Sequence, residues 1–249
     1  MIIKIFNLRD IIMKFFFLFF FLLSCTSGPN YKGKKTDHFN GQRFFNKYSS
    51  FKSSFLKFLK WRLESRKGSW PKWIENKPLR KPKERGKDDS LTVTFINHAT
   101  VLIQLGKINI LTDPIYSQRP SPFSYIGPKR VRAPGVKFED LPPIDVILIS
   151  HNHYDHLDIP TLKKLSKRDH PIILTGLGNG LLFQENNIEP FKDMDWGDIF
   201  NHKGVNFHFL TSQHWSGRGF TDRLKTLWGS FLIEKNGKKI YFAGDTGYG

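Results

Sequence analysis

Cysteine is nearly absent, with one in 249 residues. That excludes a disulfide framework and any zinc site assembled from thiolates. A long apolar run is lacking too. The unbroken apolar stretch at residues 15–23 would rise only about 14 Å as a helix, against a bilayer core of about 30 Å. No internal repeat is visible, and the glycine-rich 176–180 stretch carries no phosphate-loop pattern and reads as a turn leading into a short helix. With 39% hydrophobic and 15% aromatic residues, the composition also excludes a disordered chain, a collagen and a coiled coil.

Positive charge, by contrast, is plentiful, at a formal net +17. It is concentrated, because residues 26–90 hold eighteen Lys/Arg against six acids while residues 91–249 hold eighteen against fifteen. A nucleic-acid enzyme would more often carry its basic surface around the catalytic cleft, so this distribution argues against nucleic acid as the partner. The chain divides on these grounds into a leader (1–25), a basic arm (26–90) and a catalytic portion (91–249).

The leader reads as a secretory signal, with Lys14 before the apolar run and Met13 a more ordinary start than Met1. Leu22-Leu23-Ser24-Cys25 resembles a bacterial lipobox, which implies a lipidated Cys25 and a membrane-anchored lipoprotein facing the periplasm or the cell surface; a cytoplasmic protein is the alternative. In the arm, Phe44, Tyr48, Phe51, Phe55, Phe58 and Arg62 recur at helical spacing. They predict a helix that either packs its aromatic face on the domain or lies on an anionic membrane. Residues 69–82, with Trp70, Pro71, Trp73, Pro78 and Pro82, read as an extended strap.

Past residue 91 the texture becomes β-rich. Strands are predicted at 91–96, 101–105, 108–112, 145–150, 171–175, 205–210, 229–235 and 239–243, the last two joined by Asn236-Gly237, a strong hairpin signal. Asp158-Ile159-Pro160 looks like a helix start, with Asp158 as the cap. The class is α/β (α+β) with sheets.

One segment dominates the chemistry. His151-Asn152-His153-Tyr154-Asp155-His156 follows a buried strand and puts three imidazoles and a carboxylate within six residues. That suits two adjacent cations sharing one loop, and nitrogen and carboxylate donors without thiolate favour Zn²⁺ over Fe or Mn. His170, His202 and His208 sit in polar turns or alternate along a strand, and are read as ordinary structural histidines.

The His-X-His-X-Asp-His pattern resembles the signature of the metallo-β-lactamase superfamily. Further segments resemble the branch containing N-acyl-phosphatidylethanolamine-hydrolysing phospholipase D and its bacterial relatives. These are Asp37-His38-Phe39-Asn40-Gly41, Asn97-His98-Ala99-Thr100-Val101-Leu102-Ile103, Leu111-Thr112-Asp113-Pro114, Gln213-His214-Trp215-Ser216, Leu227-Trp228-Gly229-Ser230 and Phe242-Ala243-Gly244-Asp245-Thr246-Gly247. The resemblance implies an αββα sandwich of two sheets face to face with helices outside. It implies one zinc on His151, His153 and His214, a second on Asp155 and His156, and Asp245 bridging both. Asp155, His156 and Asp245 would then be the catalytic set, with Asp113 and His98 supporting it from behind.

The implied activity is that of a zinc-dependent phosphodiesterase of phospholipase D type, acting on N-acyl-phosphatidylethanolamine-like lipids through a metal-bridging hydroxide. The implied partners are a phospholipid or other phosphodiester and a membrane surface, reached through Cys25 and the arm. A lactonase, a nuclease or an inactive membrane-surface remnant are the alternatives. By the same resemblance the sandwich would be incomplete at the C-terminus, stopping four residues after Asp245 before a final histidine on the second metal, with apolar sheet surface left uncovered.

Overall fold

The computed structural model describes residues 28–47, 55–65, 68–76 and 81–247. The leader with Cys25, and Tyr48 and Phe51 of the predicted helix, lie outside them.

The strands β1 (Leu91–Asn97), β2 (Thr100–Leu105), β3 (Ile108–Thr112), β4 (Val146–Ile149), β5 (Ile172–Gly176) and β6 (Phe191–Met194) form one sheet in that order. β1 to β3 pair antiparallel and β3 to β6 parallel. β4 is Val-Ile-Leu-Ile, buried at every position, as expected of a parallel strand covered on both faces. A second, antiparallel sheet has the order β10 (Lys238–Phe242), β9 (Ser230–Lys235), β8 (Val205–Leu210), β7 (Ile199–His202). The β9–β10 hairpin turns on Asn236 and Gly237, both at positive φ, which is the geometry that Asn-Gly favours.

Alternation decides which faces meet. Val205, Phe207 and Phe209 of β8 point inward with Phe231 and Ile233 of β9, and pack against Ile103, Ile110, Val146, Leu148 and Leu174 of the first sheet. The opposite face of the first sheet carries Leu102, Leu111, Ile147 and Ile173, covered by α2 (Ile159–Asp169) and α3 (Asn179–Glu185) through Leu162, Leu165 and Phe183. The expected α/β sandwich is therefore present. Ile199 and Tyr241 of the second sheet are exposed.

Three expectations need correction. Phe44 is not on a helix. It forms an isolated bridge with Phe39, and both rings are fully buried in the core between the sheets. Among the described residues the helix of the arm, α1, spans Phe55–Glu64, and its Leu56, Trp61 and Leu63 are exposed. Asp158 does occupy the N-cap of α2 but makes no capping bond. Its carboxylate instead accepts from Tyr116 N, Ser117 N, Ser117 Oγ and Thr161 Oγ1. The short helix expected after the glycine-rich turn is present as α3, but the short strands β6 and β7 were not expected, so His202 ends a strand rather than lying in a turn. Among the described residues no helix is long and apolar enough to cross a membrane.

Candidate metal centre

Parallel strands deliver the site at their carboxyl ends, the usual location in open α/β sheets. β3 and β4 are neighbours in register, with Thr112 opposite Leu148. Asp113 and Ser150 therefore emerge side by side, and the His151–His156 loop follows. Ser150 N and Ser150 Oγ donate to the two Asp113 carboxylate oxygens at 2.8 and 2.6 Å. The loop is clamped from the far side by Arg218, whose Nη1 donates to Asn152 O and Leu157 O, both at 2.9 Å. Arg218 also lies 3.9 Å over the Tyr154 ring. Asn152 Oδ1 accepts from Gly217 N at 2.7 Å.

Two further segments approach this loop. His214 follows β8 and is fixed by Asn46, whose Nδ2 donates to His214 O at 2.9 Å. Asp245 follows β10 through Gly244, which sits at φ +59 where a Cβ would meet Ser150 Cβ at 2.4 Å. Only glycine lets the backbone carrying Asp245 come that close.

The structure brings all six predicted ligands together. His151 Nε2, His153 Nδ1 and His214 Nε2 form a triangle with sides of 2.8, 3.2 and 3.2 Å. Nitrogens held about 2.0–2.1 Å from a tetrahedral ion lie ~3.3 Å apart, so the triangle has the size a cation needs. Asp245 faces both halves, with Oδ1 3.4 Å from His156 Nε2 and Oδ2 3.8 Å from His214 Nε2. A second group of donors is Asp155 and His156 together with His98. His98 Nε2 lies 3.2 Å from His156 Nε2 and 3.4 Å from Asp155 Oδ2.

Electrostatics separate the two groups. Burial, reinforced by the neighbouring imidazoles, pushes His151 far below the usual histidine range and His153 down to about 4. Burial also lowers His214. These rings are neutral near pH 7 and present lone pairs. Burial disfavours a charged His156 as well, but its hydrogen bonds to Asp113 and Asp245 outweigh that and raise it to about 10. The hydrogen bond from His98 is the main reason that Asp155 stays ionised down to about 2.

One carboxylate sets the tautomers of two ligands. His156 Nδ1 donates to Asp113 Oδ2 at 2.6 Å, and the same oxygen accepts from Ser150 Oγ. Ser150 Oγ in turn accepts from His151 Nδ1 at 2.9 Å. Both histidines thus keep their protons on Nδ1 and aim Nε2 into the site. Every donor in this buried chain has one acceptor.

Two cavities flank the centre. One of about 690 Å³ opens beside His214 and Asp245 and is lined by Phe45, Asn46, Trp215 and Arg223. Another, of about 450 Å³, is lined by Trp70, Phe95, His98, Arg132 and Asp155. His170, His202 and His208 stay away from the donor groups. Sequence reasoning missed Ser150, Asn152, Arg218 and Asn46. Only Ser150 carried a signal, as the polar residue between a buried strand and the first histidine.

Fold and site together define a metallohydrolase architecture with two adjacent nests of imidazole and carboxylate. The family described as "Beta-lactamase superfamily domain" matches residues 108–249, and the chain belongs to it. Among curated proteins it is 33% identical over 171 residues to N-acyl-phosphatidylethanolamine-hydrolyzing phospholipase D 1 of Caenorhabditis elegans, covering 65% of this chain and 48% of that protein. It is 36% identical over 146 residues to the mitochondrial N-acyl-phosphatidylethanolamine-hydrolyzing phospholipase D of Saccharomyces cerevisiae, covering 57% and 31%. The chain thus spans about half or less of the length of these relatives. A solved structure described as a "possible metal-dependent hydrolase" of Veillonella parvula superposes with a TM-score of 0.51 at 16% identity, over 64% of this chain and 65% of that one, and shares the fold.

Proposed function

We propose that the chain carries the catalytic centre of a zinc-dependent phosphodiesterase of phospholipase D type, acting on N-acyl-phosphatidylethanolamine-like lipids. The observation that carries this reading is the pair of adjacent donor groups with Asp245 facing both. Imidazole and carboxylate donors without thiolate suit Zn²⁺. His151, His153 and His214 would hold one ion, Asp155 and His156 the other, and Asp245 both. Bound there, the metal supplies an activated water and neutralises charge on a phosphoryl oxygen.

The chain's own residues do the rest. Asp113 and Ser150 hold the imidazoles of His151 and His156 in one tautomer. Arg223, stacked 4.5 Å over Trp215 at the edge of the larger cavity, offers a fixed cation to the anionic diester. Phe45, Trp215 and Leu224 line the same cavity and give an apolar wall against which an acyl-bearing head group can lie. Water adds to phosphorus, and the head-group alcohol leaves with a proton.

The names of the two phospholipase D relatives favour a phospholipid over a lactone or RNA. His151→Ala and Asp245→Ala should each lower metal-dependent release of phosphatidic acid by more than the ~100-fold that loss of an outer hydrogen-bond partner costs. A panel of lipid, lactone and RNA substrates checks the class, and turnover of lactone or RNA alone would overturn the lipid reading. We further propose that Cys25 anchors the protein to a membrane facing the periplasm or cell surface. An intact Met1 or Met13 N-terminus in mass spectra of the native protein would refute it.

A further inference from the structure

We propose that His98 is a ligand of the second cation, closing with Asp155 and His156 a site that Asp245 joins from the other side. This rests on the reading that the centre holds two cations, and it gives His98 a direct role in place of the supporting one expected from its motif.

The local backbone is built to aim this side chain. The β1–β2 register shifts between Phe95 and Asn97, and an irregularity of this kind re-aims the residues beside it. His98 itself sits in the left-handed region at φ 42, a conformation uncommon outside glycine and concentrated at functional sites. Its turn is tied down on both sides. Asn97 Nδ2 donates to Ile115 O at 3.2 Å, and Thr100 Oγ1 donates to Asp113 O at 2.7 Å while accepting from Ile115 N at 3.1 Å. The segment that presents His98 is thus locked to the strand exit that presents Asp113, the partner of His156.

The donor geometry leaves room for a cation between the rings. His156 Nδ1 already donates to Asp113, so in its neutral form Nε2 carries a lone pair directed at His98 Nε2, 3.2 Å away. With His98 protonated on Nδ1, two lone pairs and the Asp155 oxygen converge on one point. Separations of 3.2 and 3.4 Å match those of donors each about 2.0–2.2 Å from a shared ion. The smaller cavity reaches His98 and Asp155 from solvent, which gives an ion a way in.

The competing role is structural: His98 donates Nε2–H to Asp155 and orients it, touching no metal. Metal counting separates the two. The full chain would be saturated with zinc, desalted and assayed by elemental mass spectrometry as wild type, His98→Ala, His98→Gln and His151→Ala, with circular dichroism to check folding. The expected result is two zinc ions per chain for the wild type and one for both His98 variants. In cobalt-loaded samples the spectrum of the ion on His151, His153 and His214 should persist in the His98 variants and vanish in His151→Ala.

Two ions in His98→Gln, which can still donate to Asp155, would overturn the proposal. So would a wild type that binds a single ion lost only in His151→Ala. A second measurement needs no variant. Carbethoxylation of half-exposed His98 in the wild type, mapped by mass spectrometry, should be suppressed at least tenfold by saturating zinc. Equal labelling with and without zinc would refute ligation. Neither readout involves substrate, so a wild type that binds two ions through His98 yet hydrolyses no phosphodiester would sink the lipase reading and leave this one standing.

Discussion

The two donor groups lie side by side yet are prepared for a cation in opposite ways. His151, His153 and His214 are imidazoles only, and burial with mutual repulsion keeps them neutral, His153 down to about 4. His156 stands among carboxylates, and Asp113 and Asp245 hold it protonated up to about 10. The first group is ready to bind near neutrality. The second must release a proton for each ion it takes up. Desolvation among like rings makes a ligand available outright, whereas carboxylate support makes it available conditionally.

The largest test of this contrast is Asp113→Asn. Removing the carboxylate behind His156 should weaken binding at the second group by about 10- to 100-fold. The effect on the His151 group, which Asp113 reaches by hydrogen bonds through Ser150 rather than directly, should be smaller. Calorimetric titration of zinc into the metal-free chain resolves the two events, and equal weakening of both would break the comparison.

A pH series sharpens it further. Below pH 10 the second ion competes with the His156 proton, so its affinity should fall by about tenfold for each unit of acidification, while the first group, whose three histidines are all lowered from the usual range, should stay level across neutral pH. The metal-free fold carries the reciprocal signature. A raised His156 adds stability that is complete below the unfolded value of about 6.5 and lost as pH climbs through about 10. The depressed trio works the other way and costs stability below about 6.5. Melting temperatures of the metal-free chain between pH 5 and pH 10 check both signs.

The smallest effect concerns the arm. Asn46→Ala removes the hydrogen bond to His214 O and should cost about 0.5–1.5 kcal/mol of stability. It should loosen the His151 group without touching the second. A thermal melt with and without zinc reads this out.

Legibility in the sequence followed locality. The six-residue histidine loop announces itself because spacing alone puts its donors at one strand end. The β-hairpin at Asn236-Gly237 and the short apolar strands were equally plain. His214 and Asp245 came only through resemblance, since nothing in their own neighbourhoods marks them as ligands. The nearness of His98 to His156 was hidden, because it depends on an irregularity in β1 and on where β3 ends. Arg218 and Asn46 act across 66 and 168 residues of sequence, and no periodicity reports such contacts. Phe44 misled for a different reason. Its spacing to Tyr48 and Phe51 fits a helix, but pairing with Phe39 and burial between the sheets won over local pattern.

The buried pair Phe39 and Phe44 bears on how this protein can be shortened. The change in composition at residue 91 invites a cut there, and such a cut would take two fully buried rings out of the sandwich. It would also strip Phe45 and Asn46 from the wall beside His214. A minimal portable unit therefore has to start before residue 38, and a version beginning at Leu91 should be recovered as insoluble material rather than as a weaker catalyst.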